Sequence, residues 1–240
     1  MRKILPLVKK ELAVFFNSPA AYVLGAAFIV FMSVWFFFLL GFPARNIASL
    51  RGYFEVVPLV FIILVPALTM RGWAEERKLG TAELLLTLPY AEFHLVAAKF
   101  LGPFVFLCIL MALTLPLPLT VLPLGNFETG EIVGEYVGIL LLGASALSIG
   151  QFASVLSTNQ ISSFLLGAGA LVFFTLVHYA GEASGLPAVL GSFLRYLSLE
   201  YHFDSFRKGV LDTRDIVYFL FICAVFQYLT VKTLVLRKWS

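Results

Sequence analysis

The sequence predicts an all-helical integral membrane protein, a single domain over residues 1–240 with six transmembrane helices. The first observation is composition: 60% of the 240 residues are hydrophobic and 13% are charged, whereas a soluble globular domain has about 45–50% apolar and about 25% charged residues. The second is length, because six apolar stretches are each long enough to cross a hydrocarbon core of about 30 Å as a helix. The 25 phenylalanines are too many for a water-soluble core of this size, so we expect lipid to solvate many of them.

Residues 1–19 are predicted to form a helix that lies in the membrane surface. Ile4, Val8 and Leu12 recur at helical spacing, and lysines and arginines occupy the polar side. Such a helix places its cations against anionic headgroups. Asn17-Ser18-Pro19 is expected to end it. The alternative is a frayed basic N-terminus, and a cleaved signal peptide is not expected, because the following apolar run is too long.

Six apolar runs are predicted to be the membrane spans. In the third run Pro103, Pro116 and Pro118 each remove a backbone donor, so we expect kinks there. The fourth run is rich in glycine, alanine and serine, which let helices approach closely in a bilayer; we expect this packing within one chain rather than at a dimer seam. The runs cover approximately residues 20–42, 53–70, 97–122, 136–156, 161–179 and 216–236.

The distribution of basic residues predicts that both termini are cytoplasmic. Short cytoplasmic flanks carry an excess of lysine and arginine, and an even number of spans puts both ends on one side. That side would hold eleven basic residues, Arg2, Lys3, Lys9, Lys10, Arg71, Arg77, Lys78, Lys99, Lys232, Arg237 and Lys238. The other side would hold six, Arg45, Arg51, Arg195, Arg207, Lys208 and Arg214. A loop with Glu128, Glu131 and Glu135 has no basic residue, which fits the outside.

Residues 183–213, here the 183–213 segment, are too apolar for a free loop and too charged to span. Leu190, Leu194 and Leu197 lie at helical spacing, so we expect short amphipathic helices at the outer membrane interface, before the sixth span. Asp212 is placed to cap the N-terminus of that span.

The sequence carries none of the motifs that would build a catalytic or nucleotide site. It has no GxSxG, no HExxH and no glycine-rich loop ending in Gly-Lys-Ser/Thr, so we predict no catalytic, cofactor-binding or metal-ligating residue on this chain. Glu200, His202 and Asp204 alternate, and such side chains can ligate a divalent ion. The favoured interpretation is a polar stripe that faces water or a partner. Cys108 and Cys223 are expected to be small buried hydrophobes.

Ionisable residues in the apolar runs fall near their predicted ends. These are Glu55, Lys99, His178 and Glu182, where long side chains can reach headgroups. Ionisable groups at mid-depth usually mark an ion or proton path. Their expected absence argues against a proton relay.

Residues 71–90, here the charged segment, interrupt the apolar chain with RGWAEERKLGTAELLLTLPY. Gly80 can break a helix, Thr81 can cap a new one, and Glu83 would lie in its first turn, where the helix dipole favours an anion. Leu84 and further leucines follow, and a proline marks the stop. We predict two short helices across the membrane surface with their charges toward the cytoplasm. The alternative is an ordinary amphipathic connector.

Three stretches resemble type-2 ABC transporter permeases. EERKLGTAELLLTLP, residues 75–89, is similar to their cytoplasmic segment after the second span, where an acidic–basic cluster precedes Gly-Thr, Glu-Leu-Leu-Leu and Pro. LSTNQ, residues 156–160, is similar to their turn between the fourth and fifth spans, although relatives often carry a basic residue before Asn-Gln and this chain does not. EYHFDSFRKGVLDTRDIVYF, residues 200–219, resembles the gliding-motility-type branch.

The resemblance implies the membrane half of an ATP-driven exporter in the cell (inner) membrane. Two permeases, identical or related, would face one another across a path lined partly by the second and fifth spans. Two separate ATPase subunits would bind ATP, so this chain is not expected to be an enzyme. Lipid is an expected partner and nucleic acid is not.

In that family the charged segment is the coupling helix, which sits in a groove of the ATPase. The residues implied for this contact are Glu75, Glu76, Arg77, Lys78, Gly80, Thr81, Glu83 and Leu84. A rival hypothesis is a non-transporting scaffold that recruits an ATPase or anchors a motility or secretion machine, because the same segment would serve it.

Overall fold

The computed structural model describes residues 4–41, 49–87, 90–125, 128–182 and 187–238. Within these ranges every regular element is helical, which confirms the all-helical class. Six helical stretches are long and apolar enough to cross a membrane, as predicted: Pro19–Leu39, Arg51–Lys78, Glu92–Val121, Thr129–Leu156, Gln160–Glu182 and Thr213–Leu236. We call these the first to sixth spans. The second stretch consists of three consecutive helices, and the last of them, Ala74–Lys78, belongs to the charged segment.

The helices have the following bounds. They are Ile4–Phe16, Pro19–Val34 with a π-helical turn Trp35–Leu39, Arg51–Phe54, Val57–Thr69, Ala74–Lys78, Thr81–Thr87, Glu92–Thr114, Pro116–Val121 with a 3-10 turn Leu122–Leu124, Thr129–Leu156, Gln160–Glu182, Ala188–Tyr196, Leu199–Arg207 and Thr213–Lys238. Several residues used in the sequence predictions lie outside the described residues, namely Arg2, Lys3, Arg45, Leu88, Pro89 and 183–186.

The N-terminal helix, Ile4–Phe16, ends where Asn17-Ser18-Pro19 predicts, and Pro19 begins the first span. Proline suits the first helical position, because its missing N–H has no helical partner there. The helix packs against the third span: the Phe15 and Phe106 rings stack with centroids 5.4 Å apart. Gly102 leaves room there for Glu11, whose Cβ would lie 2.9 Å from an added Cβ. The third span therefore holds the N-terminal helix along one face.

One of the three prolines at which we expect kinks, Pro116, lies where the third span is interrupted. Its helix runs from Glu92 through Pro103 to Thr114 without a break, and a second helix begins at Pro116. Pro118 lies in the first turn of that second helix, where a proline removes no helical hydrogen bond. The interruption is therefore confined to Leu115, between the two helices.

The fourth span packs closely against three other helices and one turn through its glycines. A Cβ added to Gly138 would lie 2.5 Å from Phe206 Cβ, one added to Gly143 would overlap Leu107, and one added to Gly150 would overlap Thr69. Gly134 faces the backbone at Gly209. The expectation that these small residues serve packing within one chain is confirmed at these positions.

The start of the fourth span differs from the sequence prediction. The helix begins at Thr129, so Glu131 and Glu135 belong to it rather than to a loop. Glu131 pairs with Arg51 at the start of the second span, Nε to Oε1 2.5 Å. Glu135 is fully buried. Carboxylates ended the apolar run that we used to place the span, but they do not end a helix.

We expect Gly138→Ala to lower the free energy of unfolding by about 1–3 kcal/mol, because the added methyl would overlap Phe206 close to its backbone. The matched control is Gly169→Ala, since nothing lies within 4 Å of a Cβ added there. Thermal unfolding of the purified chain in detergent measures both. Equal midpoints for the two variants would contradict the packing described here.

Candidate functional site

The charged segment contains two short helices, Ala74–Lys78 and Thr81–Thr87, joined at Gly80. This confirms the predicted two-helix arrangement. Gly80 has φ +71°, a left-handed conformation that side chains strain and glycine adopts readily. Thr81 is the first residue of the second helix rather than its cap. Its hydroxyl donates to the Glu76 carbonyl at 3.2 Å, so it ties the second helix back to the first.

Arg77 fastens the charged segment to the end of the fourth span. Its Nη1 donates to the carbonyls of Val155 and Ser157, each at 2.8 Å. The last carbonyls of a helix have no partner within that helix, and the guanidinium supplies donors to carbonyls at this helix end. Beside it, the Ser154 hydroxyl accepts a hydrogen bond from the Trp73 backbone N–H at 3.0 Å.

A second attachment lies deeper, at Lys99 of the third span. Its ammonium pairs with Glu76 at 2.7 Å and with Glu11 at 3.2 Å, and it lies 5.0 Å from the centre of the Trp73 ring. The Lys99 side chain is 5% exposed. The prediction that Lys99 extends to headgroups is therefore wrong, because two carboxylates hold it inside the bundle.

The predicted coupling residues divide into an inner and an outer set. The expectation that the charges of this segment point toward the cytoplasm is wrong for two of them: Glu76 binds the buried ammonium of Lys99, and Arg77 binds two carbonyls at the end of the fourth span. Glu75 and Thr81 are half-buried, and Lys78, Gly80 and Glu83 are exposed. Leu84 is helical, but its side chain lies outside the described part of the chain.

Sequence reasoning missed two members of this site. Leu79 is 67% exposed and adds an apolar side chain to the outer surface. Trp73 is fully buried under the inner attachment. The one signal for Leu79 was its place directly after the first helix and before Gly80. The outer surface of the charged segment thus comprises Lys78, Leu79, Gly80 and Glu83.

The alternating polar residues of the 183–213 segment do not meet at one point. His202 is buried, with Nδ1 2.6 Å from Asp215 Oδ1 and Nε2 3.0 Å from the Tyr196 carbonyl oxygen. Among the described residues no group of three His, Cys, Asp or Glu is placed to hold a metal ion. The interpretation as a solvent-facing stripe is wrong for His202, which instead fixes this segment to the sixth span.

The surroundings shift the pKa values of Glu200 and Asp204 in opposite directions. Burial raises the pKa of Glu200, and His178 and Arg207 offset part of that rise. Burial would also raise the pKa of Asp204, but Lys208 and Arg207 bond to it and hold that pKa below its usual range. The Asp204 contribution to stability is therefore present above the ordinary aspartate pKa and is lost as the pH falls through the lowered pKa.

The 183–213 segment forms helices Ala188–Tyr196 and Leu199–Arg207, as expected. Asp212 accepts a hydrogen bond from the Arg214 backbone N–H at 2.9 Å, which confirms its capping role. The two cysteines are free and half-buried rather than fully buried.

Comparison of the chain with protein-family models gave no match, and comparison with curated proteins gave none either. The assignment to a permease family therefore remains a prediction from the residues of the charged segment and the two further stretches.

Lys99→Met should lower the free energy of unfolding by about 3–5 kcal/mol, because it leaves Glu11 and Glu76 close together without their cation. Lys78→Met is the matched control: this lysine is exposed, and an exposed substitution usually changes stability by less than about 0.5 kcal/mol. Thermal unfolding in detergent distinguishes them. If both variants unfold at the same temperature, Lys99 does not hold this site together.

Proposed function

We propose that this chain is the membrane-spanning permease subunit of an ATP-driven ABC transporter, an exporter, and that a separate ATPase docks on the outer surface of the charged segment. The observation that carries the proposal is the division of this segment into two sides. One side exposes Lys78, Leu79 and Glu83. The other is bonded to the bundle through Glu76 and Arg77.

Such a segment is suited to transmit motion. A displacement of its outer surface acts on the fourth span through Arg77 and on the third span through the ion pair of Glu76 with Lys99. Glu11 carries the same displacement to the N-terminal helix. Directional, charge-assisted bonds of this kind are stronger than neutral hydrogen bonds. An ordinary connector needs no such attachment on its inner side.

ATP binding and hydrolysis belong to the partner in this proposal, because the chain has no P-loop sequence. The second permease would be identical or related, with the path between the two lined partly by the second and fifth spans. The exposure of the fifth span supports its place facing a second permease. Leu165 and Phe173 are more than half exposed, so they are available to another helix or to lipid. The basic-residue bias supports a cytoplasmic position for the charged segment and both termini in the inner membrane.

Orientation is tested by cysteine labelling in intact cells, in a cysteine-free background. We expect a membrane-impermeant reagent to label Lys208→Cys from outside and Lys78→Cys only after the membrane is opened. Both lysines are exposed, so access alone does not distinguish them. Labelling of position 78 from outside would reverse the proposed topology.

Docking is tested with Glu83→Lys and Gly80→Pro. Lysine at 83 reverses a charge at the proposed interface, where the loss is about 2–5 kcal/mol, and puts a cation in the first turn of a helix. Proline cannot adopt the φ of Gly80. We expect each variant to weaken ATPase capture at least tenfold and to remove cargo-stimulated ATP turnover, with the chain still inserted and folded.

There are two matched controls. Glu128→Lys changes an exposed glutamate just before the fourth span, at the end of that helix opposite to the charged segment. Gly41→Pro changes a second glycine with positive φ. Both should retain docking. Normal docking and turnover in the two test variants would leave the segment as a plain connector. Normal docking in the parent protein, with no response of turnover to any cargo, would favour the scaffold hypothesis over transport.

A further inference from the structure

A cavity of about 350 Å³ opens between the N-terminal helix, the first to fourth spans and the start of the charged segment. One part of its wall is apolar, formed by Leu24, Leu68, Phe100, Pro103 and Leu147. Its exposed rim carries Lys10 and Arg71, the half-buried Glu11, Glu75 and Glu76 also line it, and the buried Lys99 lies farther in. Exposed lining residues, Lys10, Val14, Arg71 and Leu79, show that the rim reaches the surface of the protein.

The charged side chains that line the cavity are not equally available to a ligand. Lys99 is engaged by Glu11 and Glu76. Arg71 is exposed, and among the described residues its one hydrogen-bond partner is the Ser18 hydroxyl, at 3.1 Å from Nη1. A guanidinium has five N–H donors in a planar fork, so Arg71 keeps most of its donors for another acceptor. Lys10 adds a second exposed cation to the same rim.

The chemistry of the rim and the wall defines a ligand with two parts. An arginine fork bonded to a hydroxyl, with a lysine ammonium that lines the same cavity, is suited to phosphate oxygens. The apolar wall is suited to a hydrocarbon chain, which would pack there against protein side chains instead of against lipid or detergent. The volume lies at the small end of ligand cavities, which measure about 300–1,000 Å³. A volume at this end of the range favours a single chain over two.

We infer that this cavity binds one acyl chain of a phosphate-bearing amphiphile, with the phosphate at Arg71, Ser18 and Lys10. The inference goes beyond the proposed transport function and does not depend on it. The ligand contacts the N-terminal helix, the first span and the charged segment together, so its binding stabilises their arrangement. Two sources supply this chemistry: a bilayer phospholipid that inserts one of its two chains, or a free single-chain lysophospholipid.

The probe is oleoyl lysophospholipid, added to the purified, delipidated full-length chain in detergent. Native mass spectrometry should find one tightly held molecule per chain, and the thermal midpoint should rise with its concentration, as for any ligand of the folded state. Monooleoyl glycerol, which has the same chain and no anionic group, should bind at least tenfold more weakly. Inorganic phosphate should leave the midpoint unchanged. Dioleoyl phospholipid identifies the source: equal binding points to the bilayer, and much weaker binding points to a free single-chain amphiphile.

Two variants locate the ligand. Ala67→Phe fills the cavity from its wall and should abolish the tight binding, whereas Ala27→Phe, at an exposed alanine outside the cavity, should retain it. Arg71→Gln should weaken binding at least tenfold, whereas Arg214→Gln, also at an exposed arginine, should not. Arg71→Gln is a surface change, so it keeps the test valid if Ala67→Phe does not fold.

Three outcomes would overturn the inference. If the Ala67→Phe and Arg71→Gln variants bind the lysophospholipid as tightly as the parent chain does, the amphiphile lies elsewhere. Equal losses in Ala27→Phe and Ala67→Phe would indicate lipid around the whole bundle. Inorganic phosphate binding that depends on Arg71 but not on Ala67 would indicate an anion site without an acyl chain.

Discussion

One buried ammonium group, that of Lys99, organises the end of the bundle that carries the charged segment. Its two carboxylate partners come from different parts of the chain, Glu11 from the N-terminal helix and Glu76 from the charged segment. A buried ion pair often adds little net stability compared with apolar packing, but the loss of one member is costly. We therefore infer that the cluster specifies position more than it adds stability. Two chain segments far apart in sequence must meet at this one lysine.

The fourth span supplies the rest of the framework. Its glycines let Phe206, Leu107 and Thr69 approach its backbone, and its final carbonyls receive Arg77. The same helix therefore packs against the 183–213 segment at one end and binds the charged segment at the other. In a bilayer, where apolar side chains gain little from leaving lipid, close backbone packing of this kind is a main source of helix association. The outer surface of the charged segment depends on this framework for its position.

Hydropathy was sufficient to predict the number of spans, because the thickness of the hydrocarbon core imposes a minimum length on each helix. The Gly80 joint was also predictable, since a left-handed residue is a local requirement that glycine meets. The directions of Glu76 and Arg77 were not, because their partners, Lys99 and the carbonyls of Val155 and Ser157, are distant in sequence. The start of the fourth span was misplaced for a related reason. Arg51 compensates the charge of Glu131 from another helix, and no local pattern reports it.

The position of Trp73 gives the attachment its own optical signal. The indole is fully buried and the Lys99 ammonium lies 5.0 Å from its ring centre, a distance at which the charge interacts directly with the aromatic face. Any motion that separates the charged segment from the third span must change the electric field at this chromophore. In a variant whose other two tryptophans, Trp35 and Trp239, are replaced by phenylalanine, the fluorescence of Trp73 can therefore follow the movement of the segment in time, without an added label.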